Sequence, residues 1–138
     1  MNESKFDLEE RTYIFARDVR KFIKKLPNSV ANREDGCQLV RSSGSVGANY
    51  IEANESVSKK DFLYRVKICK KESKETKHWL RMIARANPDK RDQCKKLWSE
   101  VQELTLIFSA ILSSTKSPEK PPAGDTVEPG NLRSISQS

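Results

Sequence analysis

Apolar residues recur every three or four positions along most of this chain, and that period admits helices and little else. Leu8, Thr12, Phe15, Val19, Phe22 and Leu26 are spaced 4-3-4-3-4, with Ile23 beside them. Such a stripe follows the turn of a helix and gives it one face to bury against neighbouring helices. No segment keeps the period of two that a half-buried strand requires.

The stripes divide the chain into four helical segments. The first is expected over Asp7 to Leu26, with acids Asp7, Glu9 and Glu10 at its start, Lys24 and Lys25 at its end, and Pro27 as its stop. The second is expected over Glu34 to Glu55, capped by Asn32 with Asp35 behind it. Its inner stripe reads Val40, Gly44, Gly47, Ile51. Glycine costs a helix about 1 kcal/mol relative to alanine. Two of them three residues apart predict a neighbour packed very close, or else a helix broken at Gly44. The third is expected over Lys59 to Ala86, capped by Ser58 with Asp61 behind it. Phe62, Val66, Cys69, Ser73, Thr76, Leu80 and Ile83 form its main stripe. A second stripe holds Tyr64, Ile68, Glu72, Glu75, Trp79 and Met82. Asn87-Pro88-Asp89 opens the fourth, expected over Pro88 to Ser114 with Cys94, Leu97, Val101, Leu104, Phe108 and Ile111 inward. Short links between four such segments predict an all-α, antiparallel up-down-up-down four-helix bundle over residues 1–116. Residues 117–138 hold four of the six prolines and two of the five glycines without apolar period, and read as a disordered tail.

Composition removes several classes of function. No run of about 18 apolar residues exists, so no membrane span is expected. The opening Met1-Asn2-Glu3-Ser4-Lys5 lacks the layout of a secretion signal, which predicts a cytoplasmic protein. The three cysteines, Cys37, Cys69 and Cys94, stand far apart and are expected to be small buried thiols rather than a disulfide framework. The lone histidine, His78, lies among lysines, so neither a metal centre nor a nucleophile-base pair is expected, and no cofactor. Gly44 and Gly47 follow no strand and make no phosphate loop.

Two polar constellations remain. Between Ser58 and Ala86 ten basic residues face three acidic ones, a net +7 that equals the formal charge of the whole chain. Lys67, Lys70, Lys71, Lys74, Lys77, Arg81 and Arg85 are the candidate phosphate contacts. Lys67 to Arg85 spans about 27 Å of helix. A row of that kind neutralises phosphates with a steep salt dependence, or simply keeps a helix solvated. Lysine is a point charge, so recognition would follow backbone or shape more than sequence, as suits structured RNA. On the second helix Gln38, Arg41, Ser45, Asn49 and Glu52 share one face, and Glu72 and Glu75 sit in a stripe of the third. Buried charges need partners. Arg41 is therefore expected to pair with a glutamate of the third helix, or with Glu52 of another subunit. The set reads as a network fixing helix register, with a ligand or catalytic pocket as the other option.

The order and spacing of these residues resemble a known family. Gln38, Arg41, Ser45, Asn49 and Glu52, then Asp61-Phe62-Leu63, then Lys71 through Leu80, then Glu103 through Leu112, are similar to the successive helices of the small bacterial four-helix proteins encoded in 23S rRNA intervening sequences. Ser42-Ser43 and Gly47 depart from the commoner pattern. A more distant similarity links the chain to the accessory variability determinant of diversity-generating retroelements. The family resemblance implies a homopentamer without catalytic activity, and the more distant one implies binding of nucleic acid and a reverse transcriptase through a basic pentamer surface. It also implies a second option, an adaptor or accessory subunit for a partner enzyme such as a reverse transcriptase. Residual apolar surface on a long helix, around Tyr64, Trp79 and Trp98, is the feature that motivates that second option.

Overall fold

A computed structural model of the chain describes residues 2–114, with side chains from Leu8 onward. The tail expected over 117–138 lies outside the described residues. The elements are α1 (Asn2–Ile23), α2 (Val30–Asn54), α3 (Lys59–Ala86), a single 3-10 turn (Pro88–Lys90) and α4 (Arg91–Ser114). No strand occurs among the described residues.

The helix ends follow local chemistry. α1 begins at Asn2 rather than Asp7 and stops at Ile23. Beyond it, Lys25 N–H and Leu26 N–H bond back to Phe22 and Ile23 carbonyls at 2.9 and 3.1 Å, a tightened turn ahead of Pro27. α2 begins at Val30, not near Glu34, because Ser29 is the cap: its Oγ accepts from Asn32 N–H at 3.1 Å. Asn32, the expected cap, is buried and does a different job. Its Nδ2 donates to Asn87 Oδ1 at 3.0 Å, and Asn87 Nδ2 donates back to Asn32 Oδ1 at 2.8 Å. This reciprocal amide pair ties the α1–α2 turn to the α3–α4 turn at one end of the molecule. α3 begins after Ser58, whose Oγ accepts from Asp61 N–H at 3.1 Å.

The stripes of α1 and α4 and the main stripe of α3 turn inward as the spacing predicts, whereas the second stripe of α3 lies at the edge of the core and leaves Tyr64 60% and Met82 45% exposed. Phe15, Val19, Val66, Leu80, Ile83, Val101, Leu104 and Phe108 are each 2% exposed or less. α2 differs. Its core residues are Leu39, Ser42, Ser43, Val46, Tyr50 and Ala53, whereas Ile51 is 52% exposed. Gly44 and Gly47 lie inside an unbroken helix and turn toward α1 instead. A Cβ at Gly47 would sit 2.9 Å from Thr12 Oγ1, so the glycine is what lets α1 approach.

Small polar residues in the core cost little because each is satisfied. Thr12 Oγ1 donates to Leu8 O at 2.8 Å, Ser73 Oγ to Cys69 O at 2.8 Å, and Thr105 Oγ1 to Val101 O at 2.7 Å. Thr76 Oγ1 and Ser42 Oγ lie 2.8 Å apart across α2 and α3. The contacts fix the registers. Asn32 meets Asn87, Arg41 meets Glu75 and Asn49 meets Arg65. On the other side, Lys77 of α3 meets Gln102 of α4, and Arg11 of α1 meets Glu100 of α4.

Candidate nucleic-acid interface

α3 sorts its charges by side. At about 100° per residue the seven cations from Lys67 to Arg85 occupy an arc of about 120°, and Glu72, Glu75 and Asp61 begin about 40° beyond it. The core stripe occupies the arc before the cations. The row therefore borders α4 and the acids border α2.

Within the row, Lys67, Lys71 and Arg85 are exposed, while Lys70, Lys74 and Arg81 are half-buried. Lys77 corrects the expected outward row: it is only 7% exposed. Its Nζ donates to Gln102 Oε1 at 2.5 Å and stands 5.2 Å from the centre of the Trp98 ring. Of the seven it lies nearest the core stripe, so its ammonium meets α4 rather than water, held by an amide and an aromatic face. His78 is exposed and packs edge-on against Trp79, with 4.7 Å between ring centres.

The acids of α3 are held from the α2 side. Arg41 Nη2 donates to Glu75 Oε1 at 2.5 Å, and Arg41 Nη1 lies 3.6 Å from Glu72 Oε1. Gln38 Oε1 accepts weakly from Arg41 Nε at 3.4 Å. One turn further, Asn49 Nδ2 donates to Ser45 O and Oγ at 2.9 and 3.0 Å. Asn49 Oδ1 accepts from Arg65 Nη1 at 3.2 Å, and Arg65 Nη2 stands 3.7 Å from Glu52 Oε1. All seven residues expected in this network are thus brought together along the α2–α3 seam. Arg65 joins them, although by sequence it counts only as charge. Its position outside the cation arc is the signal that could have found it. Glu52 is engaged within the same chain. Glu72 is 8% exposed, and burial, reinforced by the charge of Glu75, pushes its carboxyl above the ordinary value despite Arg41.

The thiols divide. Cys69 and Cys94 are buried, and burial pushes them up to about 12 and about 11. Cys37 is exposed, contrary to expectation, because it lies one position outside the buried Gly36 on the turn of α2. It borders a groove of about 560 Å³ between the α1 C-terminus and α2, lined by Ile23, Leu26, Pro27, Val40, Arg33 and Arg41 among others. Residue spacing carries no sign of that groove. Among the described residues no group of three or more His, Cys, Asp or Glu could hold a metal ion. No described helix is long and apolar enough to cross a membrane.

The family model for the 23S rRNA-intervening sequence protein matches residues 4–110, which takes in every element of this site. The chain belongs to that family. Among solved structures it is similar to a protein of unknown function from the S23 ribosomal protein family of Bacteroides thetaiotaomicron. The two are 26% identical, and the match covers 79% of this chain and 97% of the other with a TM-score of 0.69. No curated protein matches. For this member of the 23S rRNA-intervening sequence family, the matched span holds both the cation row and the α2–α3 network.

Proposed function

We propose that the protein binds nucleic acid, structured RNA above all, along the exposed part of the α3 cation row, without catalysing a reaction. The observation that carries this reading is the segregation of charge on α3. Its glutamates are drawn to Arg41 on the α2 side, so the arc from Lys67 to Arg85 holds cations without an interleaved acid. The contacts are then Lys67, Lys70, Lys71, Lys74, Arg81 and Arg85. Lys77 stays as a strut against α4. On the same reading the chain is a cytoplasmic antiparallel up-down-up-down bundle assembled as a homopentamer, which would repeat the row five times and add weak contacts through avidity.

The test is a titration of an RNA hairpin at several salt concentrations. Replacing Lys70, Lys74 and Arg81 by glutamine should weaken binding about tenfold or more at 50 mM salt and flatten the salt slope by about three contacts. Lys77→Met should leave the affinity within about twofold, since that ammonium is already held inside the protein. No binding at 50 mM salt would end the RNA reading. Of the aromatics expected to serve the second reading, Trp98 is only 8% exposed because it packs under Lys77, which leaves Tyr64. The apolar α1–α2 groove is the observation that favours an adaptor or accessory subunit of a partner enzyme. Light scattering reads the subunit number directly, and a monomer at micromolar concentration would remove the pentamer.

A further inference from the structure

We propose that Tyr64 and His78 are stacking platforms for unpaired bases, so that the protein takes the single-stranded loops of an RNA in preference to its helices. This inference rests on the nucleic-acid reading above and names the part of the RNA that meets α3.

The outermost ridge of α3 is not purely cationic. Between Tyr64 and Arg85 the exposed residues of the helix are Tyr64, Lys67, Lys71, His78, Met82 and Arg85. At about 100° per residue these six fall within about 60° of one another. They lie opposite the buried stripe that runs from Val66 to Ile83. No acid stands among them, and the nearest ones, Glu72 and Glu75, are turned to Arg41. A face that only keeps a helix solvated gains nothing from rings, yet Tyr64 is 60% exposed in line with the cations. A nucleic-acid strand needs that mixture. Each unpaired base offers a flat face to an aromatic ring, and each phosphate between them offers a charge to a lysine or arginine.

Both rings are braced without being covered. The Arg65 guanidinium stands 5.9 Å from the centre of the Tyr64 ring, and Asn49 of α2 holds Arg65 at 3.2 Å. His78 rests against the half-buried Trp79, with ring centres 4.7 Å apart and ring planes at 71°. Rings held in place beforehand lose less freedom when a base stacks on them.

The spacing suits a strand. Tyr64 and His78 are fourteen residues apart, about 21 Å along the helix. A stacked strand advances about 3.4 Å per nucleotide, so about six nucleotides bridge the rings, and fewer when the strand is drawn out. Lys67 and Lys71 lie between the rings, and Arg85 lies about 10 Å beyond His78. In a paired A-form helix the flat faces of the bases are stacked on one another and the major groove is too deep and narrow for side chains. A duplex laid on this ridge offers phosphates to the cations and nothing to the rings, whereas an unpaired loop offers both.

Fluorescence anisotropy of the full chain at 50 mM salt tests this with two labelled RNAs. One is a hairpin with a loop of about eight unpaired nucleotides, and the other is its stem as a blunt duplex. The wild type should bind the hairpin about fivefold or more tighter than the duplex. Tyr64→Ala and His78→Ala should each weaken hairpin binding about fivefold or more and leave duplex binding within about twofold. Their salt slopes should match the wild type, because no phosphate contact is lost. Tyr64→Phe keeps the ring and should stay within about twofold on both RNAs. Both side chains are on the surface, so the variants should fold, which circular dichroism checks. Equal wild-type affinity for the two RNAs, equal losses on both, a flattened salt slope, or alanine variants that hold the hairpin as the wild type does would each overturn stacking and leave the cation row in place. Binding of neither RNA by the wild type would overturn the nucleic-acid reading, and this inference with it.

Discussion

Gly44 and Gly47 differ by three residues and should respond to the same substitution with opposite sign. Alanine gains about 1 kcal/mol over glycine inside a helix wherever its methyl has room. At Gly44 the new Cβ would meet the Arg20 guanidinium at 3.1 Å. Arg20 is exposed and its only described hydrogen bond is to Ala16 O, so it swings aside. Gly44→Ala should therefore stabilise the protein by about 0.5–1 kcal/mol. At Gly47 the Cβ would lie 2.9 Å from Thr12 Oγ1 and 3.2 Å from Thr12 Cβ. Thr12 is 1% exposed and its hydroxyl is tied to the Leu8 and Glu9 carbonyls, so it has nowhere to go. Separating α1 from α2 by a few tenths of an ångström costs about 1–3 kcal/mol, which exceeds the helix gain. Gly47→Ala should come out about 1 kcal/mol less stable than wild type, some 2 kcal/mol apart from Gly44→Ala. Urea unfolding followed by circular dichroism, at one fixed protein concentration, reads both. A Thr12→Ala background removes the clashing oxygen and should recover about 1 kcal/mol of the Gly47→Ala loss in a double-mutant cycle. If Gly47→Ala stabilises as much as Gly44→Ala, or if Thr12→Ala shows no coupling, the close approach of α1 to α2 is refuted.

The buried polar groups and thiols make three further outcomes testable. Glu72 has a raised carboxyl, so the folded state holds its proton more tightly than the unfolded chain; stability from this group is present at low pH and lost as pH rises through the folded value, above the ordinary 4.5. Glu72→Gln should raise the melting temperature at pH 7 and remove that part of the pH dependence; a lower melting temperature at pH 7 would count against it. Asn87→Ala leaves Asn32 buried with one partner fewer and should cost roughly 1–3 kcal/mol, read from urea midpoints. In native protein a thiol reagent at neutral pH should modify Cys37 quickly and reach Cys69 and Cys94 only after unfolding, because burial holds both thiols protonated.

The sequence by itself determined the number of long helices, the full extent of α3 and the inward faces of α1, α3 and α4. Those come from local period and caps, and a stripe such as Phe15, Val19 and Phe22 has one direction to face. It also determined which side chains of α2 and α3 would need partners, since Arg41, Glu72 and Glu75 cannot be left alone near a core. Only the tertiary structure decided the face of α2. Glycine and serine carry too little apolar contrast to mark an inside, and α2 touches α1 through Gly47 and α3 through Ser42. It also moved the α2 cap from Asn32 to Ser29, because Asn32 has a better partner in Asn87, 55 positions away. The same holds for Lys77 and Cys37. A lysine in a helical row looks outward until a neighbouring helix supplies Gln102 and Trp98, and a cysteine looks buried until its turn of helix falls at the edge of a groove. Charge and period are properties of one segment; which arc of that segment meets water is set by where its neighbours pack.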